Sequence, residues 1–251
     1  MNDDPGKKRG RLVDWSRREM LGLLGTAGAA ALTGYAPGSA EDAWSAALPE
    51  PALDCIVTPA QSEGPYFTDD RLERSDLRTD PVTKAVKEGV PLRLRLHVSR
   101  VSGGGCAPLP GAIVDVWQCD AQGVYSDTWQ RDYDTRGNQF LRGYQKTDRA
   151  GKVEFLTIYP GWYPTRAVHI HFKVRVPAAG RRAHELTSHL YFDDAITDRV
   201  HAKPPYNAKG TRRMRNDRDS MFHGGEDGLL LRLSRSGQGY VGDFNIGLRM
   251  G

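Results

Sequence analysis

The sequence predicts an all-β protein, a β-sandwich of mainly antiparallel strands joined by long loops. Three observations carry this expectation. Short segments alternate apolar and polar residues, as half-buried strands require. Turn formers are abundant, with 28 Gly and 15 Pro in 251 residues, and many punctuate those segments. Helical periodicity is thin throughout.

The strands follow in order. From Pro91 to Val98, Leu92, Leu94, Leu96 and Val98 share one face and Arg93, Arg95 and His97 the other. Ala112 to Cys119 is a β-rich run with both faces partly apolar. Phe140 to Thr147 and Lys152 to Ile158 flank Asp148-Arg149-Ala150-Gly151, which has hairpin-turn chemistry. Val168 to Val176, Leu186 to Phe192, Leu229 to Ser234 and Gly239 to Leu248 complete the set. A short helix is expected around Asp80 to Glu88, and loose turns between Ala195 and Met221. Many closely spaced strands with Gly/Pro turns argue for a sandwich or barrel.

Residues 1–40 are set apart from residues 41–251, the expected sandwich domain. A basic start leads through Arg17-Arg18 into a weakly apolar run, Leu21 to Leu32, and ends at Gly38-Ser39-Ala40. This is the layout of an export signal, and the paired arginines resemble a twin-arginine signal of bacteria. The expected location is therefore extracytoplasmic, such as a periplasm. The apolar run is too short and Gly-rich for a stable membrane span. Lys+Arg 35 against Asp+Glu 31 give only +4, too mild a balance to indicate nucleic-acid binding.

Cys55, Cys106 and Cys119 have no CxxC spacing, which argues against a zinc–thiolate site. In an oxidising compartment two of them tend to pair. Cys106–Cys119 is the favoured pair, because the two segments look like a loop and the strand after it.

The chemistry concentrates in Tyr159-Pro160-Gly161-Trp162-Tyr163-Pro164-Thr165-Arg166-Ala167-Val168-His169-Ile170-His171-Phe172. In a strand, Val168, Ile170, Phe172, Val174 and Val176 share a core-facing side, and His169 and His171 project together from the other. Two imidazoles so placed reach one metal ion. Tyr163 sits in a stiff Pro/Gly turn just upstream. Tyr125 lies past the Asp120-Ala121-Gln122-Gly123 turn that follows a strand. Phenolate is a hard anionic donor suited to iron(III).

These segments, with Thr58-Pro59-Ala60-Gln61-Ser62-Glu63-Gly64-Pro65-Tyr66-Phe67, resemble the intradiol ring-cleavage dioxygenases, the family of the protocatechuate and catechol enzymes. The pattern Tyr-Pro, Arg-x-x-His-x-His with an upstream Gly-x-Tyr is highly specific, and the likeness spans nearly all of residues 41–251. It implies a mononuclear non-haem iron(III) site with Tyr125 and His169 equatorial and Tyr163 and His171 axial. It implies Arg166 against the substrate, Tyr163 also serving as a proton acceptor, and a homodimer as the simplest assembly. The implied substrates are a catechol-type diol and O2, and the product a muconate-type diacid. Trp162 and Tyr66 are candidate pocket walls. His189 falls where relatives carry glutamine, a departure that puts its role at the substrate in question. Three other readings follow from the residues: an exported module that binds iron, catechols or polysaccharide without turnover; a zinc hydrolase, for which the motif lacks a third ligand; and an iron(II) oxygenase, which wants a carboxylate in place of the phenols.

Overall fold

The structure, a computed structural model, describes residues 55–103, 105–130, 132–177, 184–222 and 226–250. The expected export signal lies outside these residues. Eleven strands and one helix run in the order β1 (Pro91–Ser102), β2 (Gly105–Pro108), β3 (Ile113–Trp117), β4 (Trp129–Gln130), β5 (Tyr133–Asp134), β6 (Arg142–Lys146), β7 (Lys152–Ile158), β8 (His169–Val176), β9 (His184–Tyr191), α1 (Asp194–His201), β10 (Arg232–Ser236) and β11 (Gly239–Arg249). Among the described residues no helix is long and apolar enough to cross a membrane.

Two sheets form the sandwich. One has the order β10-β11-β1-β2, with β7 also pairing β1; the other is β6-β3-β8-β9. All pairings are antiparallel except β1 with β11, which run parallel. The alternation in β1 sends Leu92, Leu94, Leu96 and Val98 inward, each fully buried. They meet Val114 and Val116 of β3 and Ile170, Phe172 and Val174 of β8 in one core, joined by Phe244 and Ile246 of β11. Burying each such side chain contributes about 1.5–3 kcal/mol. The β6–β7 turn forms as expected: the Asp148 carboxylate accepts from Ala150 and Lys152 N–H at 2.8 Å each, and Gly151 takes φ 75°.

The second sheet does not leave its outer face to solvent. The segment from Gln61 to Asp69 crosses it, with Gln61 N–H donating to Thr187 O at 2.8 Å. Glu63 pairs with Lys173, the Phe67 ring meets Trp117 at 4.9 Å, and Asp69 pairs with Arg175 at 3.1 Å. Both faces of β8 are therefore buried, and His169 and His171 are each only 2% exposed. Strand alternation gives the side a residue takes; the crossing segment decides whether that side is wet.

Two expectations are corrected. Residues 80–88 are not helical. The Asp80 carboxylate accepts from the N–H of Val82 and Thr83 at 2.8 and 3.0 Å and from Gln139 N–H at 2.9 Å. Lys84 adopts φ 64°, and Thr79 bridges Val86. A short acidic side chain that bonds its own downstream backbone competes with the helix. The helix stands instead at Asp194–His201, with Asp193 as its N-cap accepting from Ile196 N–H at 2.9 Å.

The disulfide also differs. Cys55 pairs with Cys106, and Cys119 is free and buried. Cys106 lies on β2 of the first sheet and Cys119 beyond the end of β3 in the second. Nearness in sequence did not carry over, because consecutive strands enter different layers.

Asp80 supports a pH prediction. Burial raises its carboxyl pKa, but the N–H donors of Thr83, Gln139 and Val82 and the Arg74 charge outweigh burial and hold it below the ordinary value. Asp80→Asn turns an NH2 toward one of these donors and is expected to cost about 1–3 kcal/mol at pH 7. A folded pKa below the unfolded one gives stability that is complete above about 3.9 and lost as pH falls through the folded value. Urea midpoints of the wild type and the variant should therefore converge below about pH 4. A gap unchanged from pH 7 to pH 3 would contradict a role for the charge.

Candidate metal centre

Four side chains predicted from sequence converge. Tyr163 Oη lies 3.2 Å from His169 Nε2, which lies 3.0 Å from His171 Nε2, which lies 3.1 Å from Tyr125 Oη. His169 and His171 reach the site from β8 by the two-residue period. The two tyrosines come from loops on the same side of the sheet.

Those loops are fixed against each other. After β3 the chain turns on Asp120, whose carboxylate accepts from Gln122 and Val124 N–H at 2.9 and 3.0 Å. Gly123 takes φ 75°, and a Cβ there would come within 2.1 Å of Trp162 O. Only glycine satisfies both demands. Gly161 N–H donates to Asp120 O at 3.0 Å, so the Tyr125 loop and the Tyr163 loop touch backbone to backbone.

A second layer holds the rings. Trp117 stacks on His171 at 4.8 Å, and Tyr66 stacks on Tyr125 at 4.3 Å and 16°. Arg142, 4% exposed, donates to Tyr66 O at 3.2 Å and Ser126 O at 2.6 Å, tying both tyrosine segments to β6. Asp219 is a further anchor. Its Oδ2 accepts from Arg166 Nε and from Ala167 N–H, each at 2.8 Å. Arg166 also donates to Tyr191 Oη at 2.8 Å. Ala167 O in turn contacts His169 Nδ1 at 2.7 Å. None of Trp117, Arg142, Tyr191 or Asp219 was singled out from sequence. Trp117 and Tyr191 lie in segments that carry the family resemblance, but no local spacing assigned either a role, and Arg142 and Asp219 lie outside those segments.

A cavity of about 420 Å³ adjoins the cluster, lined by Tyr125, Tyr163, His171 and Arg166 and also by Tyr66 and Tyr133. The two other expected pocket residues stand outside this lining. Trp162 packs against the sandwich core with the Lys209 ammonium 5.1 Å from its ring centre, so adjacent Tyr163 and Trp162 diverge. His189 is fully buried. It faces His171 in the β8–β9 register, with the two rings 4.4 Å apart.

The donor set fits a highly charged cation. His169 Nδ1 sits on a carbonyl oxygen, so it carries the proton and Nε2 presents a lone pair. Burial and the Arg166 charge push the His169 pKa down to about 3, and burial with its charged neighbours holds His171 well below its ordinary value. Both rings are neutral, as ligands must be. His171 Nδ1 is buried without a partner, and the two neutral rings face each other through Nε2 at 3.0 Å, each with a phenol oxygen 3.1–3.2 Å away. Burial raises the pKa of both Tyr125 and Tyr163; a cation beside them reverses that penalty. Ligands about 2.0–2.2 Å from one ion at right angles lie about 3 Å apart, the spacing the four atoms have. His169, His171 and His189 also bring one nitrogen each within 4.8 Å of one another.

The chain is similar to known proteins over most of its described length. A family model described as Dioxygenase matches residues 62–221. The protocatechuate 3,4-dioxygenase beta chain of Burkholderia cepacia is 37% identical over 122 residues, 45% of this chain and 51% of that one. The chain thus spans about half the length of the Burkholderia protein it matches. An intradiol ring-cleavage dioxygenase from Tetranychus urticae is 30% identical, with a TM-score of 0.65 over 78% of this chain and 95% of that one. The dioxygenase domain of a dioxygenase–carbohydrate-binding fusion from Streptomyces sp. SirexAA-E is 33% identical, with a TM-score of 0.55 over 78% and 100%. With a family model covering well over half its length and a solved relative matched almost end to end, this chain belongs to the intradiol ring-cleavage dioxygenase family.

Proposed function

We propose that the chain binds one iron(III) through Tyr125, Tyr163, His169 and His171 and cleaves a catechol-type diol between its hydroxyls, adding both atoms of O2 to give a muconate-type diacid. The observation that carries this reading is the convergence of two phenol oxygens and two neutral imidazole nitrogens, each 3.0–3.2 Å from the next, with Tyr125, Tyr163 and His171 lining a cavity. Three buried histidines alone would suit zinc. Two phenols in the same cluster favour a harder ion of higher charge.

The bound iron(III) would act as a Lewis acid that makes the diol acidic and activates its ring toward oxygen. The protein's own groups do the remaining work. Tyr163 is the less buried of the two phenols and lines the cavity, so its Oη is placed to take a proton from the incoming diol. Arg166 lines the cavity, with its guanidinium fixed by Asp219 and Tyr191. A preorganised cation so placed stabilises negative charge developing on the ring and costs no reorganisation. The buried histidines and the stacked Tyr66–Tyr125 pair keep water from the inner face.

We also propose that the protein works outside the cytoplasm. The Cys55–Cys106 disulfide is what an oxidising compartment yields, and residues 1–40 carry the twin-arginine-like pattern.

The visible spectrum of the iron-loaded protein tests the proposal. A broad tyrosinate-to-iron band is expected, moving to longer wavelength on anaerobic addition of catechol, with Tyr163→Phe shifting the band and lowering kcat about 100-fold. A protein that stays colourless after iron reconstitution would favour the binding-module reading. Unchanged colour and rate in Tyr163→Phe would remove Tyr163 from the ligand set.

A further inference from the structure

Beside the metal centre the cavity offers more space than a simple diol fills. A space of about 150 Å³ is enough to hold benzene, whereas this cavity measures about 420 Å³. Besides Tyr125, Tyr163, Arg166 and His171, its lining includes Pro65, Tyr66, Gln130 and Tyr133. The last two lie opposite each other on the β4–β5 hairpin.

That hairpin is anchored to the metal centre. Thr135 Oγ1 donates to Tyr125 O at 2.7 Å, and Thr135 N–H donates to Thr128 O at 2.8 Å. Gln130 Nε2 donates to Tyr66 Oη at 2.7 Å, which clips the Tyr66 ring into its stack on Tyr125. Among the described residues, the Tyr133 hydroxyl has no hydrogen-bond partner. Burial, with Tyr66 nearby, pushes its pKa up to about 12, so it remains a neutral phenol at the cavity wall. Among the described residues this part of the lining is aromatic and uncharged. Arg166 is the one cation among the described lining residues, and Asp219 and Tyr191 already engage it.

We propose that Tyr66, Gln130 and Tyr133 form an aromatic subsite that accepts a neutral aryl substituent on the diol ring, making aryl-substituted catechols the preferred substrate class. The proposal rests on the dioxygenase reading above. With the diol at the metal centre, a second ring extends into the part lined by Tyr66 and Tyr133, where flat π-faces favour stacked or edge contacts. A carboxylate in the same position would lose water without gaining a free cation among the described residues.

Oxygen uptake by the iron-loaded chain with catechol, 4-phenylcatechol and 3,4-dihydroxybenzoate tests it, beside anaerobic titration of the metal-free chain with the same compounds followed by tryptophan fluorescence. The expected kcat/KM for 4-phenylcatechol exceeds that for catechol about tenfold and that for the benzoate by more, and the metal-free chain binds them in the same order. Tyr133→Ala should lower the phenylcatechol-to-catechol ratio about fivefold, the scale of one aromatic pair. Tyr133→Leu, which keeps volume without a π-face, should do the same if the alanine variant does not fold. A wild-type ratio of one or less, preference for the benzoate, or a ratio unmoved by both Tyr133 variants would overturn the subsite. Failure to oxidise any diol would overturn the dioxygenase reading instead, and the metal-free titration would still decide the subsite.

Discussion

His169→Ala is expected to lower iron affinity by more than about 100-fold and turnover to background. Groups that merely orient a metal ligand cost about 10–100-fold when lost, and His169 is itself a proposed ligand. Its Nε2 contacts two of the other three donors, Tyr163 Oη at 3.2 Å and His171 Nε2 at 3.0 Å, so alanine opens the centre of the cluster. Burial opposes ionisation of Tyr125 and Tyr163, the Arg166 charge offsets it only in part, and a bound cation would supply the rest. With one neutral nitrogen gone, that cation is held less tightly and the phenols return to their protonated forms. Iron per chain after reconstitution and desalting, read with the visible band, checks this. Full iron content and an unchanged band in the variant would mean that the metal is held elsewhere.

Asp219→Asn is the second large effect, and it lies outside the cluster. One carboxylate oxygen holds both the Arg166 side chain and the Ala167 backbone, and Ala167 O holds His169. The Asp219 side chain is 1% exposed and that of Arg166 16%. Leaving a buried charge without its partner costs about 3–5 kcal/mol, and Tyr191 remains to offset part of that for Arg166. An asparagine amide either points its NH2 at two N–H donors or gives up the Met221 N–H bond at 2.9 Å. We expect a loss of about 3 kcal/mol in stability and about 100-fold in kcat/KM, because the charge aimed at the ring is no longer fixed. Urea unfolding and steady-state kinetics separate the two roles. Lower stability with unchanged kcat/KM would make Asp219 a structural residue only.

Much of the centre was legible because its information is local. His169 and His171 are two apart, and a strand of period two puts them on one side wherever it sits. Tyr163 is six residues upstream in a turn fixed by Pro160, Gly161 and Pro164. Tyr125 was reached by another route: its place beyond an Asp-Gly turn says that a loop displays it, and the family resemblance supplied the rest. The helix expected at Asp80–Glu88 failed because the Asp80 side chain closes a turn on its own backbone. The strand and turn chemistry of Lys152–Ile158 held because nothing in the tertiary structure competes with it.

By itself, then, the sequence determined the strand alternation, the turn chemistry and the shared side of His169 and His171, since each depends on residues a few positions apart. The tertiary structure alone decided what lies across the fold. It brought Asp219, 53 residues from Arg166, against that side chain, and paired Cys106 with Cys55 rather than Cys119. It turned Trp162 to the core and enclosed His189 behind the histidine pair. It also laid Gln61–Asp69 over the outer face of β8, which turns two histidines on a half-exposed strand into a dry site. Backbone periodicity fixes the direction of a side chain, but burial, dielectric and long-range partners arise only when distant segments pack together.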